Sequence, residues 1–271
     1  MSVRRKYELG FIGLGHMGLA IARGAVASGH VDRFQIAVYD PGENMNALCR
    51  QEGFALLSDE RELAESCHIT LLAVTPQTAD SVLEKLKGAS IECIMSIITG
   101  VTIEHIQNIL GSDIPVIRGM PNTPLQINKG ATALCRSKNT SADDYDFVYG
   151  MFDSMGVTRS IPEDKMTEAV ILNGSTPAYF FYMAECMIKD AAERGISEEA
   201  ARALIVQTMI GSGELMSQKK RTPVSELVDE VCSKGGTTIE AIGSLKESNL
   251  EDIIRKANDA CVKRAKELGT K

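Results

Sequence analysis

The sequence predicts an α/β fold, with a mostly parallel sheet covered by helices on both faces, followed by an all-helical domain. Three observations carry this reading. Apolar runs of strand length alternate with helical segments from Tyr7 to Ile161, the pattern of consecutive βαβ units. The first strand runs into Gly13-Leu14-Gly15-His16-Met17-Gly18, a spacing that joins strand to helix in Rossmann-type dinucleotide-binding domains. Beyond Pro162 the strand pattern stops and helical periodicity takes over. The expected division is a dinucleotide-binding domain over 1–161 and a helical domain over 162–271.

Composition narrows the function classes. A chain of 271 residues has room for two domains. The formal net charge of -7 argues against nucleic acid or an anionic membrane surface as the main partner. Seven cysteines are scattered singly with no CxxC pair, which reads as reduced thiols in a cytoplasmic protein. The four histidines are isolated and suggest no metal centre. No apolar run reaches membrane-spanning length, and Met1 to Lys6 is basic without a signal-peptide apolar core.

Tyr7 to Leu14 is the first strand and Met17 to Ser28 the first helix. In the turn between them Gly13 makes the tight bend, Gly15 lets backbone approach a pyrophosphate, and Gly18 packs helix on strand. Leu14, His16 and Met17 complete this candidate cofactor contact, with N–H groups at the helix start facing the phosphates. Phe34 to Tyr39 is the second strand, and Asp40 lies 22 residues beyond Gly18. That is close to the spacing of the acid that hydrogen-bonds an adenosine ribose. A carboxylate beside Tyr39 repels a 2′-phosphate, so NADH is expected over NADPH. The competing reading is a turn-forming Asp before Pro41-Gly42.

Glu43 to Glu52 and Glu60 to Glu65 read as helices around a short strand at Phe54 to Leu57. Cys67 to Val74 is near-continuously apolar, as central parallel strands are. Val74, Thr75, Pro76 and Gln77 at its carboxyl end are expected along the adenosine–ribose path, with a helix starting at the proline. Ala89 to Ile97 repeats the pattern and makes Ser96 either a strand-end contact or a buried serine; a helix follows from Thr102 to Leu110. Ile114 to Gly119 leads into Met120-Pro121-Asn122-Thr123-Pro124. Two prolines stiffen this polar loop, which suits a nicotinamide amide, a small substrate, or simply a rigid connection. Gly130 to Cys135, a helix over Ala142 to Ser154, and Gly156 to Ile161 complete the α/β unit.

In the second half, Glu163 to Gly195 is broadly helical with a polar interruption at Asn173 to Pro177. Helices follow from Ser197 to Ser217, from Thr222 to Val231 and from Leu250 to Leu268. Methionines and aromatics crowd these helices, which points to an intersubunit core and a homodimer. Between two of the helices, Cys232-Ser233-Lys234-Gly235-Gly236-Thr237-Thr238-Ile239 reads as a loop. Its paired glycines and hydroxyls make a small anion cradle suited to a carboxylate, or a capped helix connection. No His–Asp pair, activated cysteine or paired carboxylates compete with it, which suits hydride transfer, where placement matters most.

The chain resembles the pyrroline-5-carboxylate reductase family over nearly its whole length. The resemblance rests on Phe11-Ile12-Gly13-x-Gly15-x-Met17-Gly18, Val116-x-Arg118-x-Met120-Pro121-Asn122-Thr123-Pro124 and Gly174-Ser175-x-Pro177-Ala178-Tyr179. Gln207-Thr208-x-x-Gly211 and Ser233-x-Gly235-Gly236-Thr237-Thr238-Ile239 complete it. It implies a Rossmann domain joined to a helical dimerisation domain, in interlocked homodimers that often form pentamers of dimers. It also implies reduction of the C=N bond of 1-pyrroline-5-carboxylate by NADH or NADPH to give L-proline. By motif, Gly235, Gly236, Thr237 and Thr238 would hold the substrate, with Thr238 donating to the imine nitrogen. Ser175, Thr176, Ser233 and Lys234 would join the substrate site, and Met120, Pro121 and Asn122 would border the nicotinamide.

The departures keep other readings open. Thr176 stands where the family has glycine, Lys234 where it has proline, and Thr75 where it has lysine. The first two allow a related cyclic-imine carboxylate reductase, for example one acting on pyrroline-2-carboxylate. The last reinforces the NADH expectation. A non-catalytic dinucleotide-binding paralogue is a further alternative. A 3-hydroxyacid dehydrogenase would need a catalytic lysine near the start of the long helix, and the surroundings of Lys165 and Lys189 fit that poorly.

Overall fold

Strand and helix alternate from β1 (Tyr7–Ile12) and α1 (His16–Ala27) through β2 (Ile36–Tyr39), α2 (Glu43–Glu52), β3 (Ala55–Leu56) and α3 (Glu60–Ser66). The series continues with β4 (Cys67–Leu72), α4 (Ala79–Leu86), β5 (Cys93–Ser96), α5 (Ile103–Leu110) and β6 (Val116–Met120). It ends with β7 (Gly130–Arg136), α6 (Ala142–Asp153) and β8 (Gly156–Ser160). The computed structural model describes residues 5–269. It divides into two compact units, Met1–Pro177 with Cys261–Lys271, and Ala178–Ala260.

In the first unit, eight strands form one sheet in the order β3-β2-β1-β4-β5-β6-β7-β8. Neighbours are parallel except β7, which runs antiparallel to β6 and parallel to β8. The chain order reverses between β1 and β4, the switch point at which open α/β sheets bind ligands. Both faces are buried. Leu9, Phe11, Val38 and Leu71 pack beneath Ile21 of α1 and Phe152 of α6. Ile12, Leu72, Ile94 and Val116 pack beneath Leu63 of α3, Leu83 of α4 and Ile106 of α5. Short polar side chains start the helices where the sequence supplies them. Asp59 accepts the Glu62 amide at 2.7 Å, Thr102 the His105 amide at 3.0 Å, and Ser141 the Asp144 amide at 3.0 Å. On the β8 edge, Thr158 N–H donates to Asp153 and Thr158 C=O accepts from the Tyr149 hydroxyl. These bonds blunt an edge that would otherwise be open to pairing.

The second unit is helical: most of α7 (Thr176–Glu193), then α8 (Glu198–Gln218), α9 (Val224–Val231), α10 (Thr237–Glu247) and the first part of α11 (Leu250–Gly269). Among the described residues from 178 to 260, Ala201 is the one that is buried. Phe181, Leu204, Val231 and Ile253 are each more than half exposed. No described helix is long and apolar enough to cross a membrane.

Three sequence expectations change here. The helix expected from Pro76 begins as a short 3-10 turn over Pro76–Thr78 and becomes α-helical only at Ala79. The helical run expected over 163–195 is two 3-10 turns, Glu163–Lys165 and Glu168–Ile171, followed by α7. The segment read as a loop through Ile239 contains a helix start. Gly236, extended at φ -83° and ψ 169°, is the N-cap of α10, so Thr237 and Thr238 form its first turn.

Candidate active site

The glycine turn is shaped by sterics at its two ends. Gly13 has φ +88°, and a Cβ there would lie 2.9 Å from the Ala73 carbonyl, so no other residue fits. Gly18 brings α1 against the turn, since a Cβ there would meet Gly13 O at 2.8 Å. Gly15 differs from both. It has an ordinary φ of -62° and nothing within 4 Å of a Cβ position, so it opens a space rather than filling one. Gly15 is also the N-cap of α1, and no side chain caps that helix. The first intrahelical bond runs from Leu19 N–H to Gly15 O, which leaves the amides of His16, Met17 and Gly18 for an external acceptor. The backbone thus presents the donors that a pyrophosphate needs, and the open space at Gly15 admits it.

Asp40, following β2 and Tyr39, is tied to this turn. Its Oδ2 accepts the Leu14 amide at 2.8 Å, and its Oδ1 accepts the Gly42 amide at 2.8 Å. A carboxylate has about four acceptor positions, so both oxygens keep capacity for a hydroxyl donor.

A cavity of about 500 Å³ lies at the carboxyl ends of the central strands. Met17 contributes from the first turn of α1, Val74 from beyond β4, Ile97 and Thr99 from beyond β5, and Met120 and Pro121 from the end of β6. Val170, Gly174 and Ser175 form another wall, and Cys261, Arg264, Ala265 and Leu268 of α11 close the remaining side. All of these residues belong to the first compact unit. The Ser175 hydroxyl and the Cys261 thiol are 3.0 Å apart. Among the described lining residues Arg264 is the one charged group. With no histidine or carboxylate in the wall, the cavity offers shape and placement rather than acid–base machinery.

The other candidate residues are placed as follows. Thr75, Pro76 and Gln77 follow β4, with the Thr75 and Thr78 hydroxyls 3.3 Å apart. His16 borders a separate cavity of about 320 Å³ between α1 and the 123–127 turn. Ser96 is fully buried and its hydroxyl accepts the Ile98 amide at 3.3 Å, while Ile97 and Thr99, just beyond the strand, line the cavity. Asn122 is buried as well, and its Oδ1 accepts the Ala131 amide at 2.8 Å. Thr176 turns its hydroxyl back to the Ile171 carbonyl, while Ser175 faces the cavity. Ser233, Lys234, Gly235, Gly236, Thr237 and Thr238 lie in the second unit at the start of α10. There Gly235 takes φ +76° and the Gly236 amide donates to Ser233 O at 2.9 Å.

Sequence reading missed Ile97, Thr99, Val170 and the α11 wall. Nothing local in Cys261 to Leu268 marks it as part of a site, since it continues an ordinary amphipathic helix. The buried thiols of the core take no part. Burial pushes Cys67 and Cys135 up to about 12, which leaves them protonated and unreactive.

Known proteins share this architecture from end to end. Residues 163–268 match the family described as pyrroline-5-carboxylate reductase dimerisation, and residues 8–100 match that described as NADP oxidoreductase coenzyme F420-dependent. The chain is 33% identical over 264 residues to the pyrroline-5-carboxylate reductase of Escherichia coli K12, covering 96% of this chain and 98% of that protein. It is 32% identical over 269 residues to the Methanosarcina acetivorans enzyme of the same name, covering 97% and 98%. Among solved structures, Plasmodium falciparum pyrroline carboxylate reductase with NADP bound is similar at TM-score 0.88 and 31% identity. That match covers 98% of this chain and all of that one. The Coxiella burnetii pyrroline-5-carboxylate reductase is similar at TM-score 0.88 and 31% identity, covering 97% and 99%. With relatives at this identity over nearly its full length, the chain belongs to the pyrroline-5-carboxylate reductase family of oxidoreductases.

Proposed function

We propose that this chain reduces the C=N bond of 1-pyrroline-5-carboxylate to give L-proline, using NADH or NADPH with NADH favoured. One observation carries the reading. An uncapped helix start behind Gly15 adjoins, through Met17, a mostly apolar cavity with no acid–base pair in its walls. A protonated imine needs little further acid catalysis, so such a cavity suits it better than a ketone. The names of the relatives support the substrate, and the NADP-bound Plasmodium falciparum structure supports the dinucleotide.

In this reading Gly13 to Gly18 hold the pyrophosphate on backbone amides, and Tyr39 and Asp40 receive the adenosine ribose. Val74, Thr75, Pro76 and Gln77 border its path, and Met120, Pro121 and Asn122 frame the nicotinamide end. The bound dinucleotide supplies a hydride. Ser175 and Thr176, with Ser233 to Thr238, serve the substrate. The amides of the first turn of α10, which no side chain caps, donate to its carboxylate. Thr238 donates its hydroxyl to the imine nitrogen.

The second unit serves dimerisation as well as substrate binding. A helical unit in which Ala201 is the one buried residue among those described does not hold together by its own hydrophobic effect. A second copy supplies the missing core, and a pentamer of dimers is the larger assembly this reading allows. A related cyclic-imine carboxylate reductase is the second reading. It is favoured by Lys234, an exposed cation in the segment assigned to the carboxylate. A steady-state panel of 1-pyrroline-5-carboxylate, pyrroline-2-carboxylate and six-membered imines, each with both dinucleotides, tests the two. Fastest turnover on 1-pyrroline-5-carboxylate with proline as product is expected. Preference for another ring selects the second reading, and no turnover on any overturns both.

A further inference from the structure

Just beyond the end of β6, the chain is held to β7 by side chains rather than by the sheet. Ladder pairing between these strands stops at Met120 opposite Ala133, and the next residue, Pro121, has no N–H to extend it. Both backbone groups of Ala131, which lies beyond the last ladder pair, therefore need other partners. Two asparagines supply them. Asn122 Oδ1 accepts the Ala131 amide at 2.8 Å. Asn173 Nδ2 donates to Met120 O at 2.6 Å and to Ala131 O at 2.9 Å. Asn173 is 7% exposed, and its own Oδ1 has no partner. Both hydrogens of the amide are thus spent on this bracket.

The bracket joins two walls of the cavity. Met120 and Pro121 line one side, and Gly174 and Ser175, directly after Asn173, line another. The walls are in near contact, because a Cβ on Gly174 would lie 3.5 Å from the Met120 sulfur. A nitrogen carrying two hydrogens is what bridging two carbonyls from one atom requires. A carboxylate would set acceptor against acceptor, and an alkyl side chain would leave the Ala131 carbonyl unpaired and the Met120 carbonyl untied to Asn173.

We propose that Asn173 is a positioning residue, which fixes Met120–Pro121 against Gly174–Ser175 and so sets the placement of hydride donor and acceptor. This rests on the reductase reading given above. The test compares wild type with Asn173→Asp, which keeps the shape and removes the donors, and with Asn173→Ser, which keeps one donor should the first variant fold poorly. A misplacement of about 1 Å costs about 100-fold in rate. A kcat loss of about that order is expected in Asn173→Asp, and a smaller one in Asn173→Ser, with the dinucleotide KM within about twofold of wild type. A lowered melting temperature with kcat per folded site unchanged overturns the proposal. Hydrogen exchange over residues 119–133 keeps the two readings apart. If wild type turns over no imine, the reductase reading fails on its own. The bracket is then read from exchange, where acceleration in Asn173→Asp supports it and unchanged exchange overturns it.

Discussion

The carboxylate of Asp40 accepts the amide of Leu14 at 2.8 Å, so the acid after β2 braces the middle of the glycine turn. Position and charge therefore act together at this residue. With NADPH, a 2′-phosphate would meet a carboxylate whose place is fixed by two backbone amides. Higher kcat/KM with NADH than with NADPH is the expected outcome, by about tenfold, equivalent to about 1.4 kcal/mol. Asp40→Ser should narrow that ratio and weaken binding of both dinucleotides, because the brace on Leu14 goes with the charge. Steady-state kinetics with each dinucleotide check this, and a clear wild-type preference for NADPH sinks it.

Two glycines of one turn should respond in opposite ways. Gly15→Val places a side chain in open space at an ordinary backbone angle. Stability should hold to within about 0.5 kcal/mol, while dinucleotide affinity drops at least about tenfold. Gly13→Ala puts a Cβ against the Ala73 carbonyl at φ +88° and should cost about 1–3 kcal/mol of stability. Thermal melts with and without NADH separate the two effects. Equal melting losses in both variants would refute the division of labour.

His68 joins three elements at the opposite end of the sheet. Its Nδ1 lies 2.6 Å from Glu92 and its Nε2 lies 2.7 Å from Asp144, while Arg5 bonds Glu92 from the other side. Burial pulls the imidazole pKa down, but the bonds to Asp144 and Glu92, helped by the nearby charge of Glu8, outweigh it and raise the value. A raised folded-state pKa gives stability that is fully present below the unfolded value of about 6.5 and is lost as pH rises through the folded value. The melting temperature of wild type should therefore fall more steeply above about pH 6.5 than that of His68→Gln. Parallel profiles for the two proteins would show that the cluster contributes no linkage.

Thr238→Ala should lower turnover of the cyclic imine with little change in NADH affinity, since the hydroxyl is assigned to the imine nitrogen and not to the dinucleotide. Unchanged turnover would remove Thr238 from the chemistry. Thr176→Gly gives a companion measurement. The Thr176 hydroxyl donates to Ile171 O, so relative rates across ring sizes should change only modestly, through a looser start to α7.

The alternation of strands and helices and the glycine turn were legible in the sequence because their signals are local. Apolar runs between helices and a Gly13-Gly15-Gly18 spacing need no knowledge of distant residues. The place of Asp40 directly after the second strand was legible too, although its bond to Leu14 was not. What stayed hidden depends on long-range partners. Asn173 reads as a polar interruption until Met120 and Ala131 are brought to it. Ser96 reads equally as a strand-end contact or a buried serine, and it is buried in the fold. The start of α10 was missed for a different reason. Gly235-Gly236 reads as a breaker, yet Gly236 serves as an N-cap, a position where glycine is tolerated.

The α11 wall has a consequence for how the protein is made. One side of the cavity comes from residues 17 to 175 and the other from Cys261, Arg264, Ala265 and Leu268. A growing chain that has reached residue 250 already carries the whole sheet and the glycine turn, but no closed cavity. Formation of the glycine turn and closure of the cavity are thus separated in time during translation. The nascent chain acquires its glycine turn early, and the cavity closes only once Leu268 has left the ribosome.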